Sequence, residues 1–329
     1  MTNGSLYKRV RHPTYASPPT GGTRLIDVAS SAALRALLGR SLQDIVADGQ
    51  ATRVASDLKW GEGPVFFASL GLWVFSDIPN NRMLSWESKD GIQTFRSPSN
   101  FANGNSLAHD GALLTCEHGT RRISRTDQNG SYNVLCSHFE GKRLNSPNDI
   151  VQHPDGAIWF SDPTYGILSD VEGYRAVPEQ AFNRVYRLDI SSGALTAEIS
   201  SLKMPNGLCF SPDGMSLYVA DSGADMGPEV PFDEHGPREV YIFQLSSEGH
   251  VTGPGKIFAR ASKGVPDGIR CDVEGFLWVS TALGLECFDR DGAHVGVLQT
   301  PETLANLAFG DGSVMLTLAN SAYLIELNS

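Results

Sequence analysis

Short apolar segments alternate with glycine-containing polar turns along the chain, and five of these segments share one form. Each follows a turn glycine and ends on a polar residue, as in LWVFSD, ALLTCE, AIWFSD, MSLYVAD and FLWVST. A second segment with alternating apolar residues follows each of them, for example NRMLSWES and NRVYRLDI. Segments of this length and pattern predict β-strands joined in hairpins, and a degenerate sixth copy ends in SAYLIELN.

An oxygen-bearing side chain recurs at a fixed distance before the turn glycine of these copies. The distance is eight residues in four copies and nine in the first. With the sixth copy included, successive spacings are 41, 45, 58, 61 and 39 residues, and the residues are Glu62, Asn103, Asn148, Asn206, Asp267 and Asn306. A period near 40 residues with several strands per copy is typical of a β-propeller. We therefore predict an all-β fold, a six-bladed β-propeller.

The two long spacings contain polar inserts, residues 164–182 and 222–237, which follow the second strand of copies three and four. Loops in equivalent places lie on one face of a propeller. The inserts are therefore expected either to wall the mouth of the central channel or to be ordinary surface loops.

The residues ahead of the repeats predict a short N-terminal helical extension. SSAALRALLG has leucines at helical spacing, with Ser30 or Ser31 as a candidate N-cap and Gly39 as a stop. The following ATRVASD resembles a strand, which could join the last blade and remove an exposed edge. We expect a flexible tail over residues 1–29 and one propeller domain over residues 30–329, with a helical lead-in over 30–47.

Composition narrows the possible partners. The net charge of -11 and the lack of clustered Lys and Arg argue against a nucleic-acid partner. No apolar run is long enough to span a membrane, and the first residues lack the apolar core of a signal peptide. We expect a cytoplasmic protein that is a monomer or a weak homo-oligomer. Its five scattered cysteines fit neither a disulfide framework nor a zinc-thiolate site, which favours small core residues.

The recurring oxygen-bearing residues predict a cation site. The first strand of each propeller blade lines the channel, so these side chains form a ring that includes the carboxylates of Glu62 and Asp267. Buried carboxylates that face each other need a compensating charge. Oxygen donors without His or Cys favour Ca²⁺, with Mg²⁺, Mn²⁺ or Zn²⁺ as alternatives. The competing interpretation is that these residues only bridge backbone groups in turns. A second set of strand-end acids is interpreted as structural: Asp77, Glu117, Asp162 and Asp221.

A cation with open coordination positions polarises carbonyl or phosphoryl oxygens and lowers the pKa of a bound water. The chain contains no Gly-x-Ser-x-Gly elbow, no P-loop and no dinucleotide-binding fingerprint. Metal-assisted hydrolysis of an ester-like substrate is the reaction that this combination favours.

Several segments in fixed order resemble the gluconolactonase, senescence marker protein (regucalcin) and luciferin-regenerating enzyme family: EGPVFF, FSDIPNNRMLSW, CEHGTRR, LNSPNDIV, FSDPTYG, PNGLCFSPDG and PDGIRC. The resemblance covers residues 30–329. It implies a six-bladed propeller with one catalytic divalent metal, usually Ca²⁺ or Zn²⁺, and hydrolysis of a small-molecule lactone or ester.

The resemblance also implies roles for individual residues. The metal ligands would be Glu62, Asn148, Asn206 and Asp267, and Asp267 would serve as general base as well, with a metal-bound hydroxide as the alternative attacker. Asn103 is assigned to the substrate pocket rather than to the metal.

One departure from the family concerns Ser146, which stands where the animal sugar-lactonase branch has an arginine. Recognition of sugar hydroxyls is therefore in question, and His118 and Tyr165 are the alternative candidates for the pocket. Two further functions stay open: hydrolysis of phosphotriesters or organophosphates at the same metal, and a non-catalytic, metal-stabilised propeller that binds a ligand.

Overall fold

A computed structural model describes residues 25–227, 229–310 and 312–327 of the protein. Within these residues the strands form six four-stranded antiparallel sheets and one two-stranded hairpin. In the first five sheets the strands follow one another in chain order, and the first strand of each lies innermost. The innermost strands of neighbouring sheets contact one another around a closed ring. The predicted six-bladed β-propeller is confirmed.

The strands are named in chain order. The strand that precedes blade one is β1 (Ala51–Ala55). Blade one contains β2 (Gly61–Phe67), β3 (Leu72–Asp77), β4 (Arg82–Glu87) and β5 (Gly91–Arg96). Blade two contains β6 (Ala102–Leu107), β7 (Leu113–Glu117), β8 (Arg122–Thr126) and β9 (Tyr132–Cys136). The small hairpin contains β10 (His138–Phe139) and β11 (Lys142–Arg143). Blade three contains β12 (Ile150–Gln152), β13 (Ile158–Asp162), β14 (Arg184–Leu188) and β15 (Leu195–Ile199).

The second half of the ring continues the same order. Blade four contains β16 (Pro205–Phe210), β17 (Ser216–Asp221), β18 (Glu239–Gln244) and β19 (Lys256–Arg260). Blade five contains β20 (Ile269–Cys271), β21 (Leu277–Thr281), β22 (Gly284–Phe288) and β23 (His294–Gln299). Blade six contains β24 (Leu304–Phe309), β25 (Ser313–Leu318) and β26 (Ala322–Glu326), with β1 as its outermost strand.

Blade six joins the two ends of the described chain. Its outermost strand, β1, pairs antiparallel with β26 from Ala51 opposite Ile325 to Ala55 opposite Ala322. The predicted closure of the ring by strands from both ends is therefore confirmed. Because β1 covers the edge of β26, that strand has no free hydrogen-bonding edge.

The helical lead-in consists of two short helices, α1 (Val28–Arg35) and α2 (Leu42–Ala47), and a third helix, α3 (Tyr165–Leu168), lies in the first insert. The N-cap of α1 is Asp27, whose carboxylate accepts a hydrogen bond from Ser30 N at 2.8 Å. The predicted cap at Ser30 or Ser31 is wrong, because an aspartate earlier in the chain satisfies the first free N–H groups. Most of the predicted tail lies outside the described residues.

Apolar residues fill the space between neighbouring blades. Trp159 and Trp278 lie at matching places in β13 and β21, and both are fully buried. Leu34 and Ile45 of the two helices pack with Trp278 in the cluster that joins blades five and six. Among the described residues, no helix is long and apolar enough to cross a membrane.

The strand-end acids hold the backbone that leads into the innermost strands. Asp77 accepts from Lys59 N at 3.0 Å, Asp162 from Asn145 N at 2.8 Å, and Asp221 from Met204 N at 2.9 Å. The same bond thus recurs in blades one, three and four. Their interpretation as structural residues agrees with these contacts.

Candidate metal centre and active site

Close backbone packing brings the recurring oxygen-bearing residues together at one end of the channel. Most of them are followed by a glycine, and this glycine faces the next blade. A Cβ atom on Gly104 would overlap Asn148 O, and one on Gly207 would overlap Asp267 O. The same relationship joins Gly63 to the backbone of blade two. A side chain at these positions would push the neighbouring blade away, so glycine permits the ring to contract.

Asn148 and Asn306 are the two exceptions, since Asp149 follows the first and Leu307 the second. The Asp149 carboxylate pairs with Nη1 of Arg270, a residue of β20, at 3.3 Å. Both side chains are buried. A buried ion pair therefore lies next to the ring.

The two ring carboxylates lie within electrostatic reach of each other. Burial raises the pKa of Glu62 to about 7, and the negative charge of Asp149 adds to this rise. Burial also raises the pKa of Asp267 well above its usual range, with the charge of Glu62 as the next cause. Two buried acids, one of which makes the other harder to ionise, form a site that a cation would stabilise.

Neighbouring amides orient these carboxylates. Asn306 Nδ2 donates to Glu62 Oε2 at 2.9 Å, and Gly63 N donates to the same oxygen at 2.8 Å. The Asp267 carboxylate is hydrogen-bonded to the Asn206 side chain. Asn306 therefore supports Glu62 directly and is more than a remnant of the repeat.

The donor chemistry of this end of the channel fits a hard divalent cation. The four predicted ligands offer two carboxylates and two amides, with no sulfur or imidazole. The Asn148 side chain, 7% exposed, has no hydrogen-bond partner among the described residues. The described chain also holds no group of three or more His, Cys, Asp or Glu side chains placed to share a metal ion. The fit therefore rests on mixed carboxylate and amide oxygens.

Asn103 and His118 form a chain of hydrogen bonds that leads from the ring to the first insert. Asn103 Nδ2 lies 3.0 Å from His118 Nε2, and His118 Nδ1 lies 3.1 Å from Glu172 O. Burial lowers the pKa of His118 to about 4, so its ring is neutral at pH 7. A neutral ring that accepts from Asn103 at Nε2 donates to Glu172 O from Nδ1. The buried Asn103 Oδ1 has no hydrogen-bond partner in the part of the chain that the structure describes.

The two inserts meet beside this chain. Tyr165, at the start of α3, donates from its hydroxyl to Asp225 O at 2.9 Å. Arg175 of the first insert pairs with Glu229 of the second. Burial raises the pKa of Tyr165, and the nearby charge of Asp267 raises it further. The inserts therefore lie at the carboxylate end of the channel, as one of the two interpretations predicted.

Ser146 supports the first insert. Its hydroxyl donates to Pro163 O at 2.7 Å and accepts from Gly166 N at 2.9 Å. Both bonds are buried, so this hydroxyl is engaged by the backbone next to Tyr165. Where the resemblance implies a substrate-binding arginine, the chain has a residue that positions a loop.

Comparisons with known proteins agree with the architecture. Residues 60–319 match the profile described as the SMP-30/Gluconolactonase/LRE-like region. The chain belongs to this family. A gluconolactonase from Zymomonas mobilis is 30% identical over 299 residues, which cover 84% of this chain and 80% of the relative.

Solved structures of other SMP-30/gluconolactonase proteins have the same fold. A gluconolactonase from Xanthomonas campestris superimposes with a TM-score of 0.78 and 31% identity, covering 96% of this chain and 99% of that one. A calcium-binding protein, regucalcin, from Agrobacterium tumefaciens superimposes with a TM-score of 0.66, covering 83% of this chain and 92% of that one. Its identity of 20% supports the fold alone.

Sequence reasoning missed several residues of this SMP-30/gluconolactonase member. The glycines after Asn103 and Asn206 form Asn-Gly pairs in the sequence. The recurrence of glycine directly after the oxygen-bearing residue is a signal that could have identified them. The Asp149–Arg270 pair joins blades three and five and carried no spacing signal. Glu172 also gave no signal, since it lies in an insert without repeat character.

Proposed function

We propose that the protein is a lactonase that uses one divalent cation, Ca²⁺ before Zn²⁺, Mg²⁺ or Mn²⁺. One observation supports this proposal most strongly. Two buried acids, Glu62 and Asp267, lie at one end of the channel together with asparagine side chains whose amide oxygens can bind a cation. Membership of the SMP-30/gluconolactonase family supports the same activity. The substrate is a small-molecule lactone or ester.

Glu62, Asn148, Asn206 and Asp267 would hold the cation through oxygen atoms. When bound there, the cation would polarise the substrate carbonyl and offset the negative charge that develops on its oxygen. Glu62 is fixed in place by Asn306 and Gly63 N, so its carboxylate is preorganised for this purpose.

Asp267 is the proposed general base. It is half-buried, whereas Glu62 is 4% exposed, so Asp267 is the more accessible of the two acids. Its carboxylate takes a proton from water as the water oxygen bonds to the carbonyl carbon. The C–O bond of the lactone ring then breaks, the leaving oxygen takes the proton back from Asp267, and the product is a hydroxy acid.

Asn103 presents a hydrogen-bond acceptor to the pocket. His118 holds its Nδ2, so Oδ1 is the atom left free. This oxygen would accept a hydrogen bond from the attacking water or from a hydroxyl of the substrate. Tyr165 lies close enough to Asp267 to be influenced by its charge, and its hydroxyl anchors the second insert through Asp225 O. Its proposed role is to shape the pocket.

A substrate panel tests this proposal. Aldonolactones, aromatic lactones and phosphotriesters are assayed with the parent protein, with Asp267→Asn and with Asp291→Asn, an exposed turn acid, as the matched control. We expect lactone hydrolysis by the parent and the control, and a loss of at least a hundredfold in kcat with Asp267→Asn. Turnover of phosphotriesters alone, or of nothing, would replace this proposal with one of the two alternatives.

A further inference from the structure

A large apolar cavity lies at the end of the channel away from the carboxylates. Its volume is about 620 Å³, within the range of about 300–1,000 Å³ that is usual for small-molecule sites. The innermost strands begin at the ring of oxygen-bearing residues, and their later residues line this cavity. Representative apolar residues are Val65, Leu107, Val151, Phe210 and Phe309.

A layer of satisfied polar groups separates this cavity from the candidate active site. Asn105 Nδ2 donates to Gly63 O at 2.9 Å and to Asn103 O at 3.0 Å, and Asn105 Oδ1 accepts from Thr115 at 2.9 Å. None of the four proposed metal ligands lines the cavity. The cavity is therefore a place distinct from the proposed reaction centre.

Among the described residues that line this cavity, Arg270 is the one Arg or Lys, and it is 8% exposed. Its Nη1 donates to Ile269 O at 2.7 Å and pairs with Asp149 at 3.3 Å. Its Nε and Nη2 make no hydrogen bond with any described residue. A buried guanidinium with unused donors is suited to an anionic acceptor, most of all a carboxylate.

We propose that this cavity binds an amphipathic monocarboxylate, with its alkyl chain between the apolar side chains and its carboxylate on the unused donors of Arg270. A wholly apolar ligand would leave those donors unpaired, which costs binding free energy. A multiply charged ligand is disfavoured, because Asp149 already neutralises part of the guanidinium charge. This second site goes beyond the proposed lactonase activity and does not depend on it.

The position of Arg270 also connects the two ends of the channel. Arg270 lies three residues after Asp267, and its partner Asp149 directly follows Asn148. A carboxylate on Arg270 would share the guanidinium with Asp149. Any resulting change in cation affinity at the ring must be matched by an equal change in carboxylate affinity, since binding free energies are linked reciprocally.

Direct binding to the full-length chain tests the site. Decanoate and decan-1-ol are titrated by calorimetry and by displacement of a fluorescent apolar probe. We expect decanoate to bind about tenfold more tightly than the alcohol, because charge-assisted hydrogen bonds add to the apolar contact. Arg270→Gln should remove this preference while decan-1-ol still binds.

A second pair of variants keeps the test decisive if the Arg270 variant misfolds. The two variants place opposite charges at one position that lines the cavity. Leu107 is half-buried on β6 and lines the cavity. Leu107→Glu and Leu107→Lys add similar bulk and opposite charge, so decanoate should bind at least tenfold more weakly to the Glu variant. Equal affinities in this pair, equal binding of acid and alcohol, or no detectable decanoate binding would each overturn the proposal.

Discussion

The Asn103 amide donates its Nδ2 hydrogen to Nε2 of His118 at 3.0 Å, and this bond decides which atom Asn103 offers to the channel. The free atom is Oδ1, an acceptor that has no hydrogen-bond partner among the described residues. His118 is neutral and is also hydrogen-bonded to Glu172 O, which belongs to the first insert. The first insert therefore fixes the orientation of the Asn103 amide through His118. The insert thus contributes to the site without supplying a ligand.

Replacing His118 should affect catalysis more than stability alone would explain. In His118→Leu the Asn103 amide is free to rotate, and we expect kcat/KM for the lactone to fall about tenfold, equivalent to about 1.4 kcal/mol. His118→Gln should restore part of this loss. The control is His153→Leu, since buried His153 lies 3.0 Å from Gly214 O away from the ring. That variant should lower the melting temperature and leave kcat/KM unchanged; the same kcat/KM in both variants would refute the role of His118.

The glycine after Asn103 should tolerate no side chain. Gly104→Ala places a Cβ against the backbone of Asn148 and Asp149, and we expect the free energy of unfolding to fall by about 2–3 kcal/mol. Gly253→Ala is the matched control, because no atom lies within 4 Å of a Cβ built there. Urea unfolding measures both. Equal stabilities would show that the ring can expand freely.

Asp162 should make stability depend on pH. Burial raises its pKa in the folded state to about 7, above the unfolded value of about 3.9. The folded state therefore holds the proton more tightly, and this contribution to stability is present below about pH 4 and lost as pH rises toward 7. The side chain of Asp162→Asn does not titrate, so the variant does not lose stability in this way. Its free energy of unfolding, relative to that of the parent, should therefore rise by on the order of 1 kcal/mol per pH unit across that interval.

Urea unfolding at pH 5 and pH 8 provides the measurement. Asp221→Asn serves as a contrast, because Asp221 accepts from backbone N–H groups of Lys203, Met204 and Gly223 with both oxygens. An amide cannot accept at both positions, so this variant should be less stable at either pH. A gain for Asp162→Asn that is the same at both pH values would contradict the linkage argument.

Asn306 should strengthen cation binding through Glu62. Without its Nδ2 donor the Glu62 carboxylate loses one of its two fixed hydrogen bonds. We expect Asn306→Leu to weaken Ca²⁺ binding by about tenfold or more, as is usual for groups that orient metal ligands. Calorimetric titration measures the affinity, with exposed Asn320→Ala as the control. An unchanged affinity in Asn306→Leu would mean that Glu62 needs no such support.

The repeat made most of the propeller predictable. Segments such as LWVFSD and AIWFSD became the strands β3 and β13, because both faces of these strands are buried and their residues are mostly apolar. The outermost strands left little trace in the sequence. For example, three of the six residues of β5 are exposed, so no apolar pattern marks it.

The candidate site was predictable only where it follows the repeat. Asn206 and Asp267 share an offset of eight residues from a turn glycine and Glu62 has one of nine, and the structure brings all three to one end of the channel. Arg270 and Glu172 act across blades or from an insert, so their positions depend on tertiary packing that no local pattern encodes. The observed contacts of Ser146 support the first insert, and its bearing on sugar recognition stays a prediction.

The most direct test of the account is lactone hydrolysis by the full-length protein after thorough metal removal and after Ca²⁺ is restored. We predict that the metal-free protein remains folded and that its activity falls by roughly a hundredfold or more, because the catalytic contribution of the metal is lost. Activity should return at one Ca²⁺ per chain and fail to return in Asp267→Asn. Full lactonase activity in metal-free, folded protein would contradict the central claim.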